Sequence, residues 1–126
     1  MRAIGPKDSA PEMLVRRAAH RLGLRFRLHV RSLPGTPDLV LARRRAVIFV
    51  HGCFWHRHQG CKKATTPKSN VQFWTKKFEG NTQRDTLNYQ LLAQQGWRVI
   101  VLWQCQFRSV EDAMEILQVY FHADSD

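Results

Sequence analysis

Two cysteines and three histidines fall within eleven residues of one segment, His51-Gly-Cys53-Phe54-Trp55-His56-Arg57-His58-Gln59-Gly60-Cys61. Thiolate and imidazole are the ligand types that a borderline cation such as Zn²⁺ selects. Cys53 and Cys61 supply two thiolates, Cys105 stands at the end of a later apolar run, and one of His51, His56 and His58 would complete the set. Three thiolates and one imidazole leave no open position, which is the shell of a structural ion rather than a catalytic one. The competing explanation is three reduced core cysteines beneath a histidine-rich surface loop. It accounts for Cys105 alone but not for the clustering. The histidines that the ion does not need remain available for chemistry.

A second set suits a harder cation. Pro37-Asp38 opens one apolar run, and the next run, reached after a short turn, leads into His51. A carboxylate at the head of one strand, facing the end of its neighbour, is a cradle for Mg²⁺, which takes oxygen ligands and keeps several waters. His56 carries a side chain suited to taking a proton from an attacking water. Taken alone, a Pro-Asp pair is more often a strand cap, and Glu12 is explained as half of a helix capping box with Ser9. Phe54 and Trp55 lie in the polar, ligand-rich loop, and Phe73-Trp74 sits between Lys68 and Lys76-Lys77. Aromatics beside basic residues can wedge between base pairs, or they can cover a metal site or join the core.

The charge balance points the same way. Twenty Lys and Arg against ten Asp and Glu give a formal charge of +10, spread along the chain rather than gathered in a tail. Such a field draws polyanions, and nucleic acid is the partner it favours over a merely solvated cationic surface. At 126 residues and 44% hydrophobic composition the chain suits one domain with one core. No apolar run is long enough to cross a bilayer and no secretory signal is visible, so a cytoplasmic protein is expected. Three cysteines, an odd number, argue against a disulfide framework.

The elements that must position these residues are legible from periodicity. Ser9 to Leu22 reads as a helix, with Val15, Ala18, Ala19 and Leu22 on one face and Gly23 as its stop. Arg25 to Val30, Pro37 to Leu41 and Ala46 to Val50 read as strands, the last two joined by a hairpin at Arg43-Arg44-Arg45. His51 to Asn70 reads as a long loop. Val71 to Phe78 is expected as a short helix, Gln83 to Gln95 as a separate one, Trp97 to Trp103 as a strand, and Val110 to Phe121 as a last amphipathic helix. This order predicts an α/β fold with a mixed central sheet flanked by helices.

Five stretches, Met1-Arg-Ala-Ile4, Ser32-Leu-Pro-Gly-Thr-Pro-Asp38, Val47-Ile-Phe-Val-His-Gly-Cys-Phe-Trp-His56, Asn81-Thr-Gln-Arg-Asp85 and Gly96-Trp-Arg-Val-Ile-Val-Leu-Trp-Gln-Cys105, together resemble the very-short-patch-repair (Vsr) endonucleases. The resemblance runs from Met1 to about Arg108. It implies a restriction-endonuclease-like fold with a degenerate PD…(D/E)xK site and a structural zinc, in a single domain over residues 1–126. It implies that Asp38 binds Mg²⁺ with help from the main-chain carbonyl of Val50, that His56 acts in activating water, and that His51 assists at the phosphate. Glu12 contributes from the first helix, and Asp85 orients the water-activating histidine. Zn²⁺ falls to Cys53, His58, Cys61 and Cys105, while Phe54, Trp55 and Trp74 enter the base stack beside a mismatch. The implied activity is Mg²⁺-dependent nicking of duplex DNA 5′ to the thymine of a T·G mismatch, initiating very short patch repair of deaminated 5-methylcytosine. The implied partner is mismatched double-stranded DNA, with other mismatch-repair proteins as further candidates and no membrane. The expected setting is a monomer in the bacterial cytoplasm, associated with the nucleoid. Val50 stands where threonine is common in that family, and Gly60 adds one residue between His58 and Cys61. Two other readings stay open: a nuclease on the same scaffold with a different or broader target, and a zinc-stabilised DNA-binding module without catalysis.

Overall fold

The structure is a computed structural model that describes residues 9–53, 58, 61, 65 and 67–121. Ser9 opens the first helix: its backbone is extended and its Oγ accepts the Glu12 amide at 3.4 Å. Pro11 occupies the first turn, where a missing N–H is harmless. Helix α1 runs Ala10–Arg21, buries Val15, Ala18 and Ala19, and gives way at Gly23 with φ +76°.

Four strands follow, β1 (Arg27–Leu28), β2 (Leu39–Leu41), β3 (Ala46–His51) and β4 (Arg98–Trp103), and they lie side by side in that order. β1 and β2 pair antiparallel, as do β2 and β3, whereas β3 and β4 pair parallel from Ala46↔Arg98 to His51↔Trp103. The sheet is therefore mixed, as expected. The triple arginine forms a 3-10 turn, Ala42–Arg44, and Arg45 adopts a left-handed φ of 52°. Its guanidinium lies 4.2 Å from the centre of the Trp97 ring and donates to the Gln95 carbonyl at 2.8 Å, so this corner is fastened to the start of β4.

Successive residues of β3 face opposite sides, and both sides are covered. Ala46 and Ile48 join Leu39, Leu41, Ile100 and Leu102 beneath α1 and the last helix, α3 (Val110–Phe121). Val47 and Phe49 join Val40 beneath Leu92 and Tyr89, which belong to the long helix α2 (Val71–Gln94). That double cover is why the run reads as continuously apolar. Ile48 and Leu117 are fully buried, and each such side chain contributes about 1.5–3 kcal/mol through removal from water.

Three expectations change. The strand expected over Arg25–Val30 pairs only at Arg27 and Leu28, because His29 turns to φ 48° and breaks the extended run. β2 begins at Leu39 rather than Pro37. The two helices expected over Val71–Phe78 and Gln83–Gln95 are one helix of 24 residues that passes through Gly80. Glycine inside a helix costs about 1 kcal/mol, too little to break it when one face is anchored. Phe78, Asn81 and Leu92 are the buried anchors. Among the described residues, no helix is long and apolar enough to cross a membrane.

Candidate active site and metal centre

Strand directions gather the chemistry. Because β2 is antiparallel to β3, its start lies beside the end of β3, and parallel β4 ends there too. Asp38, His51, Cys53 and Cys105 are thus brought to one edge of the sheet, the end at which open α/β sheets commonly bind ligands.

One group consists of Glu12, His29 and Asp38, whose ligand atoms all lie within 4.8 Å of one another. Asp38 is held by backbone: its Oδ2 accepts the Val50 amide at 2.7 Å, and its carbonyl accepts the His29 amide at 3.2 Å. Glu12 is only 3% exposed, and its Oε2 accepts Nε of Arg16 at 3.0 Å. Its carboxylate is thus turned inward rather than spent on the helix cap, although Ser9 caps as expected. Burial pushes the Asp38 carboxyl up to about 7; the Val50 amide opposes this, the neighbouring Glu12 carboxylate adds to it, and His29 offsets part. An Asp38 carboxyl raised in this way retains a proton that a bound cation would displace. His29 Nε2 is buried and has no hydrogen-bond partner among the described residues, although Glu12 Oε2 lies 2.9 Å away and Asp38 Oδ1 3.8 Å away. The separations are short but the angles are not those of a hydrogen bond. An orphaned nitrogen and two crowded carboxyl groups are a donor set that fits a divalent cation.

His51 forms the next group. It is 5% exposed, its Nε2 lies 2.5 Å from the Tyr89 hydroxyl, and Asp85 Oδ2 lies 4.0 Å away. Trp103 meets the His51 ring edge-on, with centroids 5.4 Å apart. Burial, then the charges of Asp85 and Asp38, hold the Tyr89 hydroxyl above its ordinary value, so it remains a proton donor. Asp85 and Tyr89 are one helical turn apart on α2, which lets both address the same ring.

Cys53, His58, Cys61 and Cys105 form the third group, again with ligand atoms within 4.8 Å of one another. His58 Nδ1 lies 3.6 Å from Cys53 Sγ and 3.3 Å from Cys105 Sγ. A tetrahedral ion with metal–sulfur and metal–nitrogen bonds of about 2.3 and 2.0 Å requires about 3.5 Å between those atoms. The His58 ring stacks on Trp103 at 4.3 Å and 9°, which fixes its direction. Burial, followed by the neighbouring thiols of Cys105 and Cys61, pushes the Cys53 thiol up to about 11. A cation would relieve that crowding, because it binds the thiolate form.

A family model described as DNA mismatch endonuclease Vsr matches residues 1–63. The type II nicking enzyme V.XorIIP of Xanthomonas oryzae pv. oryzae is 50% identical over 106 residues, covering 84% of this chain and 77% of that protein. The chain belongs to the Vsr family. DNA mismatch endonuclease Vsr of Escherichia coli is 41% identical over 111 residues, covering 88% of this chain and 70% of that protein. The type II nicking enzyme V.NmeAIP of Neisseria meningitidis is 40% identical over 109 residues, covering 86% and 77%.

Set against the residues singled out by sequence, this Vsr-family chain brings Asp38 and Glu12 together, and Val50 reaches Asp38 through its amide. Of the three histidines offered as metal ligands, His58 joins the cysteines, while His51 sits with Tyr89 and with Asp85, the residue expected instead to orient the water-activating His56. His56, Phe54 and Trp55 lie outside the described residues, as do Met1 to Asp8. Trp74 is half-buried near the start of α2, with its ring against Phe73 and Phe78. Sequence reasoning missed His29 and Tyr89. Tyr89 carried a usable signal, its four-residue spacing from Asp85. His29 carried none, because its neighbours come from a distant helix and strand.

Proposed function

We propose that this chain is an Mg²⁺-dependent endonuclease that nicks one strand of duplex DNA 5′ to the thymine of a T·G mismatch, the first step in very short patch repair of deaminated 5-methylcytosine. The observation that carries the reading is the Glu12–Asp38 carboxyl pair beside an orphaned imidazole, at the strand ends of a chain whose relatives are named a mismatch endonuclease and nicking enzymes. The fold is taken as restriction-endonuclease-like, in a single domain.

Asp38 and Glu12 would hold the cation, with the Val50 amide fixing Asp38 Oδ2 and the Val50 carbonyl as a further oxygen donor. A bound Mg²⁺ supplies polarisation of the scissile phosphate and stabilisation of the leaving oxygen. His56 takes the proton from the attacking water, and His51 assists at the phosphate from the orientation that Tyr89 and Asp85 give it. Cys53, His58, Cys61 and Cys105 hold Zn²⁺ and so tie the segment carrying His56 to the end of β4. Phe54, Trp55 and Trp74 enter the base stack, and unstacking costs least where pairing is already imperfect. The net charge of +10 supplies the non-specific grip on phosphates.

The test is a strand-specific nicking assay on T·G, other mismatched and fully matched duplexes, with the parent, Asp38→Ala and His56→Ala proteins. Nicking of the T·G duplex with Mg²⁺, abolished in both variants while circular dichroism is unchanged, is the expected result. Equal cutting of matched duplexes would replace the mismatch assignment by the broader-target reading. Salt-sensitive binding without any nick would leave a DNA-binding module.

A further inference from the structure

We propose that His29 is a third protein ligand of the catalytic cation, completing a Glu12–His29–Asp38 set whose nitrogen biases the site from Mg²⁺ towards transition-metal ions such as Mn²⁺. The inference rests on the reading of Asp38 and Glu12 as the cation cradle and adds to it a residue that periodicity and motif leave unmarked.

Backbone geometry is the first support. His29 has φ 48°, a left-handed conformation that costs a non-glycine residue on the order of 1 kcal/mol or more. Its amide is fastened to the Asp38 carbonyl at 3.2 Å, immediately after the Leu28↔Leu39 pair. The strained turn therefore ends the edge strand at a residue whose side chain lies beside the Glu12 and Asp38 carboxylates. An extended residue here would continue the edge ladder towards solvent instead.

Side-chain geometry is the second. Among the described residues His29 Nε2 has no hydrogen-bond partner, yet it is buried and lies 2.9 Å from Glu12 Oε2 and 3.8 Å from Asp38 Oδ1. Ligand atoms about 2.1 Å from an octahedral ion are about 3.0 Å apart when adjacent and about 4.2 Å apart when opposed. The 2.9 Å separation matches adjacent ligands, and the 3.8 Å separation lies between the two values, so a small movement of Asp38 Oδ1 would complete the set. A plain ion pair would instead bring the ring N–H into line with a carboxylate oxygen, and Glu12 Oε2 already accepts Arg16 on its other side.

The consequence is selectivity. Mg²⁺ dehydrates reluctantly and prefers oxygen, so an imidazole adds little to its binding. First-row transition ions gain more from nitrogen, in the Irving–Williams order. Thiolates do not compete for Mn²⁺, which keeps the cysteine group out of the measurement when its zinc is left in place.

The experiment is a pulsed electron spin-echo measurement on the full chain as purified, loaded with Mn²⁺, together with Mn²⁺ and Mg²⁺ affinities. The parent is expected to show ¹⁴N modulation of the Mn²⁺ echo. His29→Gln and His29→Asn should lose it and bind Mn²⁺ about tenfold more weakly, with Mg²⁺ affinity altered less than about threefold. Asparagine tolerates the left-handed backbone, so the second variant preserves the turn if glutamine disturbs it. Absence of nitrogen modulation in the parent, or its persistence in both variants, overturns the assignment of His29. If Asp38→Asn binds Mn²⁺ as well as the parent does, the cradle itself is wrong and the proposed function loses its metal site. Loss of Mn²⁺ binding in Asp38→Asn with an unchanged nitrogen signal in the His29 variants sinks this inference alone.

Discussion

Replacing Asp38 by asparagine is expected to remove activity and yet make the metal-free site more stable. Burial and the nearby Glu12 raise the Asp38 carboxyl from 3.8 to about 7. The folded protein therefore keeps a proton that the unfolded chain has released, and stability falls as pH rises through that window. The favourable contribution is complete below about pH 4 and gone above about pH 7. Borne by Asp38 alone, the difference would be about 4 kcal/mol at pH 8. Asp38 is still partly exposed, which screens the effect, so about 1–3 kcal/mol is expected to be recovered on substitution. The asparagine oxygen can still accept the Val50 amide, and its NH₂ can donate to Glu12, so no bond is forfeited. At about 4 °C per kcal/mol for a chain of this size, the Asp38→Asn protein should melt roughly 4–12 °C above the parent at pH 8 without added Mg²⁺. The two should melt together near pH 4. Added Mg²⁺ should raise the parent alone and close the gap, since a ligand at 100 times its Kd contributes about 2.7 kcal/mol. Differential scanning calorimetry across pH reads all of this. A variant less stable than the parent by the same margin at both pH values would refute the reasoning, because Asp38 would then be an ordinary structural residue.

Three further outcomes follow from the same geometry. Cys105→Ser should drop bound zinc from about one per chain to a small fraction by elemental analysis and lower the melting temperature, since the ion is then left with three protein ligands; full zinc retention would contradict the ligand set. At sub-saturating Mg²⁺, nicking should gain about tenfold per pH unit up to about 7 and then level off, because the cation must displace the proton held at Asp38. An Mg²⁺ affinity that is flat across that range would count against the cradle. Tyr89→Phe removes the hydroxyl 2.5 Å from His51 Nε2 and should lower kcat by roughly fivefold, the worth of one hydrogen bond, with KM little changed; an unchanged kcat would leave His51 oriented by other groups.

What could be read in advance was local. The four residues of the thiol group stood out because three of them fall within nine positions and the remaining cysteine ends an apolar run. The strands β3 and β4 were legible because both faces are covered, and α1 because its cap, apolar stripe and glycine stop agree. Features that depend on long-range packing were not legible. Periodicity reads as two helices, Val71 to Phe78 and Gln83 to Gln95, whereas buried Phe78 and Asn81 carry α2 through. Glu12 was accounted for by its cap until α1 packed against the sheet and turned the carboxylate inward. His29 looked like one more residue of an alternating strand, and only the pairing of β1 with β2 sets it opposite Asp38.

Two separate metal stations, one of thiols for shape and one of carboxylates for chemistry, are best tested by anomalous scattering from crystals soaked in Mn²⁺, with data on either side of the zinc and manganese edges. The expected map has a zinc peak among Cys53, His58, Cys61 and Cys105 and a distinct manganese peak beside Asp38 and Glu12. A single shared site, or manganese bound at the cysteines with nothing at Asp38, would contradict it.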